Sequence, residues 1–141
     1  MKLKLYQVDE FNEKVFGGNP AAICPLDEWI SDDLMQKIAL ENNLAETAFY
    51  VLKKDIYHIR WFTPQVEVDL CGHATLAAAH VIYNYGNHTG DTIHFHSHRS
   101  GNLFVTSKND LLTLDFPTDI LQPIEITEDI KNCFEEPPIA A

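Results

Sequence analysis

The stretch Asp69-Leu70-Cys71-Gly72-His73-Ala74-Thr75, continuing as Leu76-Ala77-Ala78-Ala79-His80-Val81-Ile82, decides how this chain folds. From about His73 to Tyr85, the residues Ala74, Leu76, Ala77, Ala78, Ala79, Val81 and Ile82 cover most of a helix's circumference. A helix that is apolar nearly all round is a buried helix. It is shorter than the ~20 apolar residues needed to cross a bilayer, so other parts of the chain must enclose it. Gly86 suits the left-handed C′ position that closes such a helix. The many strand-like runs on either side are the wrapper. The expected class is α+β, a mixed barrel-like sheet around a central buried helix.

Working outward, Lys2–Asp9 alternates at period two and reads as a strand. Gly17-Gly18-Asn19-Pro20 is a turn, and Ala21-Ala22-Ile23-Cys24 a short strand before Pro25. Ser31 is an N-cap, with Asp32 and Asp33 in the first turn. Leu34, Met35, Ile38 and Ala39 then recur at helical spacing up to Asn42-Asn43. Thr47–Leu52 and Tyr57–Phe62 are strands joined by a Lys53-Lys54-Asp55 turn, and Val66 and Val68 alternate with charged residues. Thr92–His96, Asn102–Thr106 and Leu111–Phe116 are three more strands, with turns at Ser100-Gly101 and Lys108-Asn109-Asp110. Thr127–Phe134 is a short capped helix. The tail Glu135-Glu136-Pro137-Pro138-Ile139-Ala140-Ala141 reads as a linker that has been cut.

Composition narrows the function. The 141 residues carry a net charge of −11 with only ten Lys and Arg. No stretch concentrates those ten, which argues against a nucleic-acid surface. The N-terminus has no leader-like segment and no apolar run reaches membrane length. Cys24, Cys71 and Cys133 are far apart and form no CxxC pair. The odd count fits a reducing cytoplasm.

The helix mouth carries the candidate chemistry. Cys-Gly-His at the start of a buried helix brings free N–H groups, a partial positive charge and two titratable side chains together. That suits a small carboxylate beside an acid/base. Gly72 lets a ligand approach the backbone closely. His73 reads as a donor or proton relay, or else as a core or capping histidine. Cys71 reads as a thiol base lowered by the helix end, or else as a small buried residue. Glu46 lies where a helix gives way to an apolar strand. Partly buried there it is a usable acid/base, and solvated it is an ordinary loop glutamate. His94, His96 and His98 alternate, so one strand face could present all three to a metal. No acidic or thiol ligand is near in sequence to complete that shell. Gly17-Gly18-Asn19-Pro20 has no following Lys-Ser/Thr and is not a phosphate loop.

Several short motifs in order carry a family resemblance. They are Val8-Asp9 with Phe11, Gly18-Asn19-Pro20-Ala21-Ala22, Met35-Gln36-Lys37-Ile38-Ala39 and Asn43-Leu44-Ala45-Glu46-Thr47-Ala48-Phe49. Arg60-Trp61-Phe62-Thr63-Pro64, Glu67-Val68-Asp69-Leu70-Cys71-Gly72-His73-Ala74-Thr75 and Leu114-Asp115-Phe116-Pro117 complete the set. The chain resembles the PhzF-like phenazine-biosynthesis family, whose fold is that of diaminopimelate epimerase. The resemblance implies a two-lobe isomerase, each lobe a barrel-like sheet around a helix, with the active site in the cleft between lobes. It implies that Glu46 moves a proton, and that Gly72 and His73 bind substrate, His73 also serving catalysis. Asn19 and Cys71 are implied as further substrate-binding positions, and Cys71 stands where related epimerases put one of two catalytic thiols. No cofactor and no metal is implied, and a homodimer is usual.

The second lobe's Asp-Pro-x-Thr-Gly-Ser-like motif is absent from these residues. Residues 1–134 therefore read as an N-terminal lobe and 135–141 as the start of an inter-lobe linker, with the second lobe or a companion chain as partner. The lone lobe is expected to be weakly active or inactive. Two other readings stay open: a Cys71-based amino-acid racemase or epimerase, and a non-catalytic binding domain.

Overall fold

The computed structural model describes residues 2–14, 16–118, 120 and 122–136. The elements run β1 (Tyr6–Glu10), β2 (Asn19–Leu26), α1 (Asp32–Asn42), β3 (Glu46–Lys53), β4 (Ile56–Phe62) and β5 (Glu67–Val68). They continue as α2 (Gly72–Tyr85), β6 (Thr92–Ser97), β7 (Gly101–Lys108), β8 (Leu111–Asp115) and α3 (Glu128–Lys131). One sheet holds all the strands in the order β1-β2-β3-β4-β6-β7-β8, with β5 paired to β4. β2–β3 and β4–β6 are parallel, and the other pairs are antiparallel.

The sheet curls because it wraps one rod. α2 touches β2 and β3 and also both edge strands, β1 and β8. Ala74, Ala77, Ala78 and Ala79 are fully buried, with Val81 and Ile82 beside them. Small side chains let strands close in from several directions, and Ile23, Trp61, Ile93, Phe95, Leu103 and Val105 fill the remaining space. The other face of the sheet is covered locally by α1, whose Met35 and Ala39 pack on Cys24, Phe49, Val51 and Phe62. β2 and β3 are thus buried on both faces, which explains their continuous apolar runs.

Local chemistry sets the boundaries. Ser31 accepts a hydrogen bond from the Leu34 amide, and Asn43 closes α1 in the left-handed conformation at φ 51°. Lys54 and Asp55, and again Asn109 and Asp110, take positive φ in the two tight hairpins. Arg60 lies on the α1 face of the sheet, over the Trp29 and Phe62 rings, and binds Glu67 at 2.7 and 2.8 Å and Asp32 at 2.7 Å, tying β4 to β5 and to α1.

Three sequence expectations need correction. β2 does not stop before Pro25 but runs through both Pro20 and Pro25. Pro20 precedes the first β3 partner, Ala21↔Glu46, and Pro25 follows the last β1 partner, Tyr6↔Ile23. Each proline stands where β2 has one neighbour only, so no ladder bond is lost. Gly86 is not left-handed: its φ is −96° and ψ −170°. Glycine suits the position because a Cβ would lie 2.6 Å from the Ile82 carbonyl oxygen. The last helix is only Glu128–Lys131, capped by Thr127. Of the tail read as a linker, residues 137–141 lie outside the described residues.

Gly18 is held by close approach rather than by its dihedrals. A Cβ there would lie 1.9 Å from the Glu10 carbonyl oxygen. Backbone cannot yield as a flexible side chain does. Gly18→Ala is expected to cost about 1–3 kcal/mol, read as a lower denaturation midpoint. Among the described residues no helix is long and apolar enough to cross a membrane.

Candidate active site at the helix mouth

The two long helices begin differently. α1 has a Ser31 cap and Asp32 and Asp33 in its first turn. α2 has no acidic residue in its first turn, and Cys71 at its N-cap makes no side-chain cap hydrogen bond. The Thr75 hydroxyl donates to the Cys71 carbonyl at 2.6 Å and pins the start of the helix. The positive end of α2 is therefore left uncompensated by its own sequence, and an anion is favoured there. At Gly72 a Cβ would meet only Leu114 Cδ1 at 3.7 Å and Phe116 Cε2 at 3.9 Å. Packing alone does not demand glycine, and the bare backbone keeps this point of the mouth open.

Glu46 reaches the same mouth from the sheet. It opens β3, in register with Ala21, on the inner face that carries Ala48 and Tyr50. Its side chain is 19% exposed and that of His73 is 13% exposed, and Glu46 Oε2 lies 3.0 Å from His73 Nε2. The two atoms are close without being aligned for a hydrogen bond, and each is buried with no other partner among the described residues. On the other side of the ring, His73 Nδ1 is 3.4 Å from Cys71 Sγ. Burial pushes the Cys71 thiol up to about 12, helped by the charges of Glu46 and Glu10, while the Ala74 amide partly opposes this.

Ligand atoms of Glu46, Cys71 and His73 all lie within 4.8 Å of one another. That is close enough to consider a metal. The thiol and the carboxylate, however, face opposite nitrogens of one imidazole, whose lone pairs diverge. An ion on either nitrogen lies across the ring from the other group, so the arrangement suits a relay better than a chelate. The His94-His96-His98 expectation is corrected in part. His94 Nε2 and His96 Nδ1 share Asn102 Oδ1 at 3.1 and 3.0 Å, but β6 ends at Ser97 and His98 turns toward Glu67 at 3.8 Å. The three rings do not converge.

Asn19 begins β2 on the inner face, opposite Glu10 and two residues from the Ala21–Glu46 row. It shares the face of Glu46. Glu10 itself was not evident as a site residue. Period-two alternation places it with Tyr6 and Val8 on the inner face, and it is 9% exposed. Burial raises its carboxyl from 4.5 to about 7. Because the folded state holds this proton more tightly than the unfolded chain, ionising Glu10 opposes folding. Its contribution is best below about pH 4.5 and is lost as pH rises through about 7. Glu10→Gln is expected to remove that slope and to raise stability at pH 8 by about 2 kcal/mol, allowing for solvent relaxation at the sheet rim. Denaturation midpoints at pH 5 and pH 8 measure it, and equal shifts at both would refute it.

Comparison with known proteins now fits the geometry. The family model described as phenazine biosynthesis-like protein matches residues 8–133. The chain belongs to the phenazine biosynthesis-like family. An uncharacterised isomerase of Pseudomonas aeruginosa is 47% identical over 139 residues, covering 99% of this chain and 53% of that protein. The human phenazine biosynthesis-like domain-containing protein is 39% identical over 136 residues, 91% of this chain and 47% of its own length. The crystal structure of a PhzF-family protein from Enterococcus faecalis superposes with a TM-score of 0.84 at 48% identity, over 94% of this chain and 50% of that one. A predicted epimerase of Pseudomonas aeruginosa, 22% identical with a TM-score of 0.62, shares the fold. The α+β epimerase-like lobe expected from the sequence is therefore the fold of this family member. The chain spans about half the length of these relatives.

Proposed function

We propose that this chain supplies one half of the active site of a cofactor-independent isomerase that moves a proton on a small carboxylate-bearing substrate. The observation that carries this is the contact between the Glu46 carboxylate and His73 at the uncompensated start of α2. Several similar proteins bear the name isomerase, which supports the reading. Glu46 accepts a proton from an activated C–H bond and returns it to another carbon of the same molecule. The Gly72 and His73 amides, with the helix dipole behind them, hold the substrate carboxylate, with Asn19 on the same sheet face. Donors aimed at developing negative charge contribute a few kcal/mol to such a step.

A second lobe, from the same gene product or a companion chain, closes the cleft. Phe11, Phe16 and Leu70, exposed in the segments beside Glu10, Gly18 and Cys71, give such a partner apolar surface to cover. A homodimer and a cytoplasmic site of action belong to the same proposal, the latter supported by the free Cys24, Cys71 and Cys133. The thiol-based racemase is the weaker reading, because a Cys71 at about 12 holds almost no thiolate near neutrality.

The test is proton exchange. The complete gene product is incubated in D2O with a panel of amino acids and unsaturated small carboxylic acids, and deuterium incorporation is read by mass spectrometry. Incorporation into at least one panel member above a heat-inactivated control is expected. Binding without exchange across the panel would favour a carboxylate-binding domain instead.

A further inference from the structure

We propose that Cys71 is a positioning residue whose thiol donates a hydrogen bond to His73 Nδ1 and so holds that imidazole as its Nε2–H tautomer, with the N–H on the Glu46 side. This rests on the reading of Glu46 as the proton carrier. His73 is placed between two groups, Cys71 Sγ at 3.4 Å on Nδ1 and Glu46 Oε2 at 3.0 Å from Nε2. A neutral imidazole has one N–H and one lone pair, so only one arrangement can serve each neighbour properly.

With the proton on Nδ1, the ring donates to a sulfur, a weak acceptor, and leaves the Nε2 lone pair beside a carboxylate oxygen 3.0 Å away. Both contacts are then poor. With the proton on Nε2, the ring accepts from the thiol and presents an N–H to the carboxylate side. Both contacts are then complementary. The thiol can play the donor because burial keeps it protonated across the neutral range. Cys71 is 8% exposed and its backbone is pinned through Thr75, so the sulfur cannot readily turn away.

The consequence is specific. His73 Nε2 and Glu46 Oε2 are both buried, and neither has an aligned partner. A substrate polar group that reaches both atoms meets a donor at His73 and an acceptor at Glu46. Fixing the tautomer before substrate arrives spares the site that reorganisation. This gives Cys71 a role that needs its S–H and makes no use of a thiolate.

The experiment is long-range proton–nitrogen correlation NMR on the complete protein labelled with 15N-histidine, His73 being assigned by its loss in His73→Gln. Wild type is expected to show His73 as the Nε2–H tautomer at neutral pH. Cys71→Ser, which keeps a donor hydrogen, is expected to preserve the tautomer and to retain exchange activity within about threefold. Cys71→Ala is expected to give a mixture of tautomers and a roughly tenfold loss, carried mainly by kcat, as expected when a preorganised donor is lost. A wild-type spectrum showing Nδ1–H overturns the proposal without any variant having to fold. So does abolished exchange in Cys71→Ser with the tautomer intact, which would make the sulfur itself the reacting group. Failure of the parent reading is separable: it shows as undiminished exchange in a Glu46 variant, whatever the tautomer of His73.

Discussion

Glu46→Gln in the complete gene product is expected to slow proton exchange by about 10²–10⁴-fold, the range for removing a positioned general base. Fold stability is expected to stay within about 0.5 kcal/mol, as for changes outside core, cap and network positions. Gln keeps the length and shape of Glu46, so the inner face of β3 and its register with Ala21 are undisturbed. The change removes the carboxylate's charge and its ability to carry a proton, and Glu46 Oε2 makes no aligned hydrogen bond whose loss would be felt in folding. Glu46→Asp sharpens the test. It retains a carboxylate but withdraws it by a methylene, and a misplacement of about 1 Å can cost about 10²-fold. Deuterium incorporation measured beside thermal unfolding checks both variants. Wild-type exchange rates in Glu46→Gln would remove Glu46 from the chemistry.

The second large effect belongs to the core. Trp61 is the bulkiest fully buried side chain, standing on β4 between Ala48 on β3 and Val68 on β5. Its truncation leaves a cavity where strands meet α2, and Trp→Ala in such cores costs about 3–5 kcal/mol. One term works the other way. The indole Nε1 is buried with no partner among the described residues, and removing an orphaned donor relieves about 1–3 kcal/mol. The net expectation for Trp61→Ala is therefore below that range, about 2 kcal/mol, read as a fall in denaturation midpoint at constant slope. Trp61→Phe keeps most of the ring and sheds the orphaned N–H. It is expected to cost less than half as much as the alanine variant. If the two variants prove equal, the cavity argument fails.

Much of this was readable from the chain. Periodicity marked the strands because the inner and outer faces of the sheet meet different surroundings. Turn chemistry marked the hairpins because Lys54-Asp55 and Asn109-Asp110 must take positive φ. The Ala-rich run from Ala74 to Ala79 marked the central helix, since nothing polar interrupts it except Thr75, whose hydroxyl is spent on the Cys71 carbonyl. Other features had no local signal. Pro20 and Pro25 look like strand breakers until the staggered ends of β1 and β3 show that each proline has a partner strand on one side only. Gly86 looks like a left-handed cap until the Ile82 carbonyl is seen to crowd its Cβ position. Glu10 looks like a solvated residue between Asp9 and Phe11, and only the wrapping of β1 against α2 buries it.

The sequence by itself determined that an apolar helix must be enclosed, that strands enclose it, and that Cys71, Gly72 and His73 open it. Those are properties of neighbouring residues, set by side-chain period and helix-end electrostatics. Only the tertiary structure decided that Glu46 stands 3.0 Å from His73, with Cys71 against the ring's other nitrogen. That meeting depends on the parallel register of β3 on β2 and on how tightly the sheet curls round α2. Both are fixed by packing between distant segments, which no local pattern encodes.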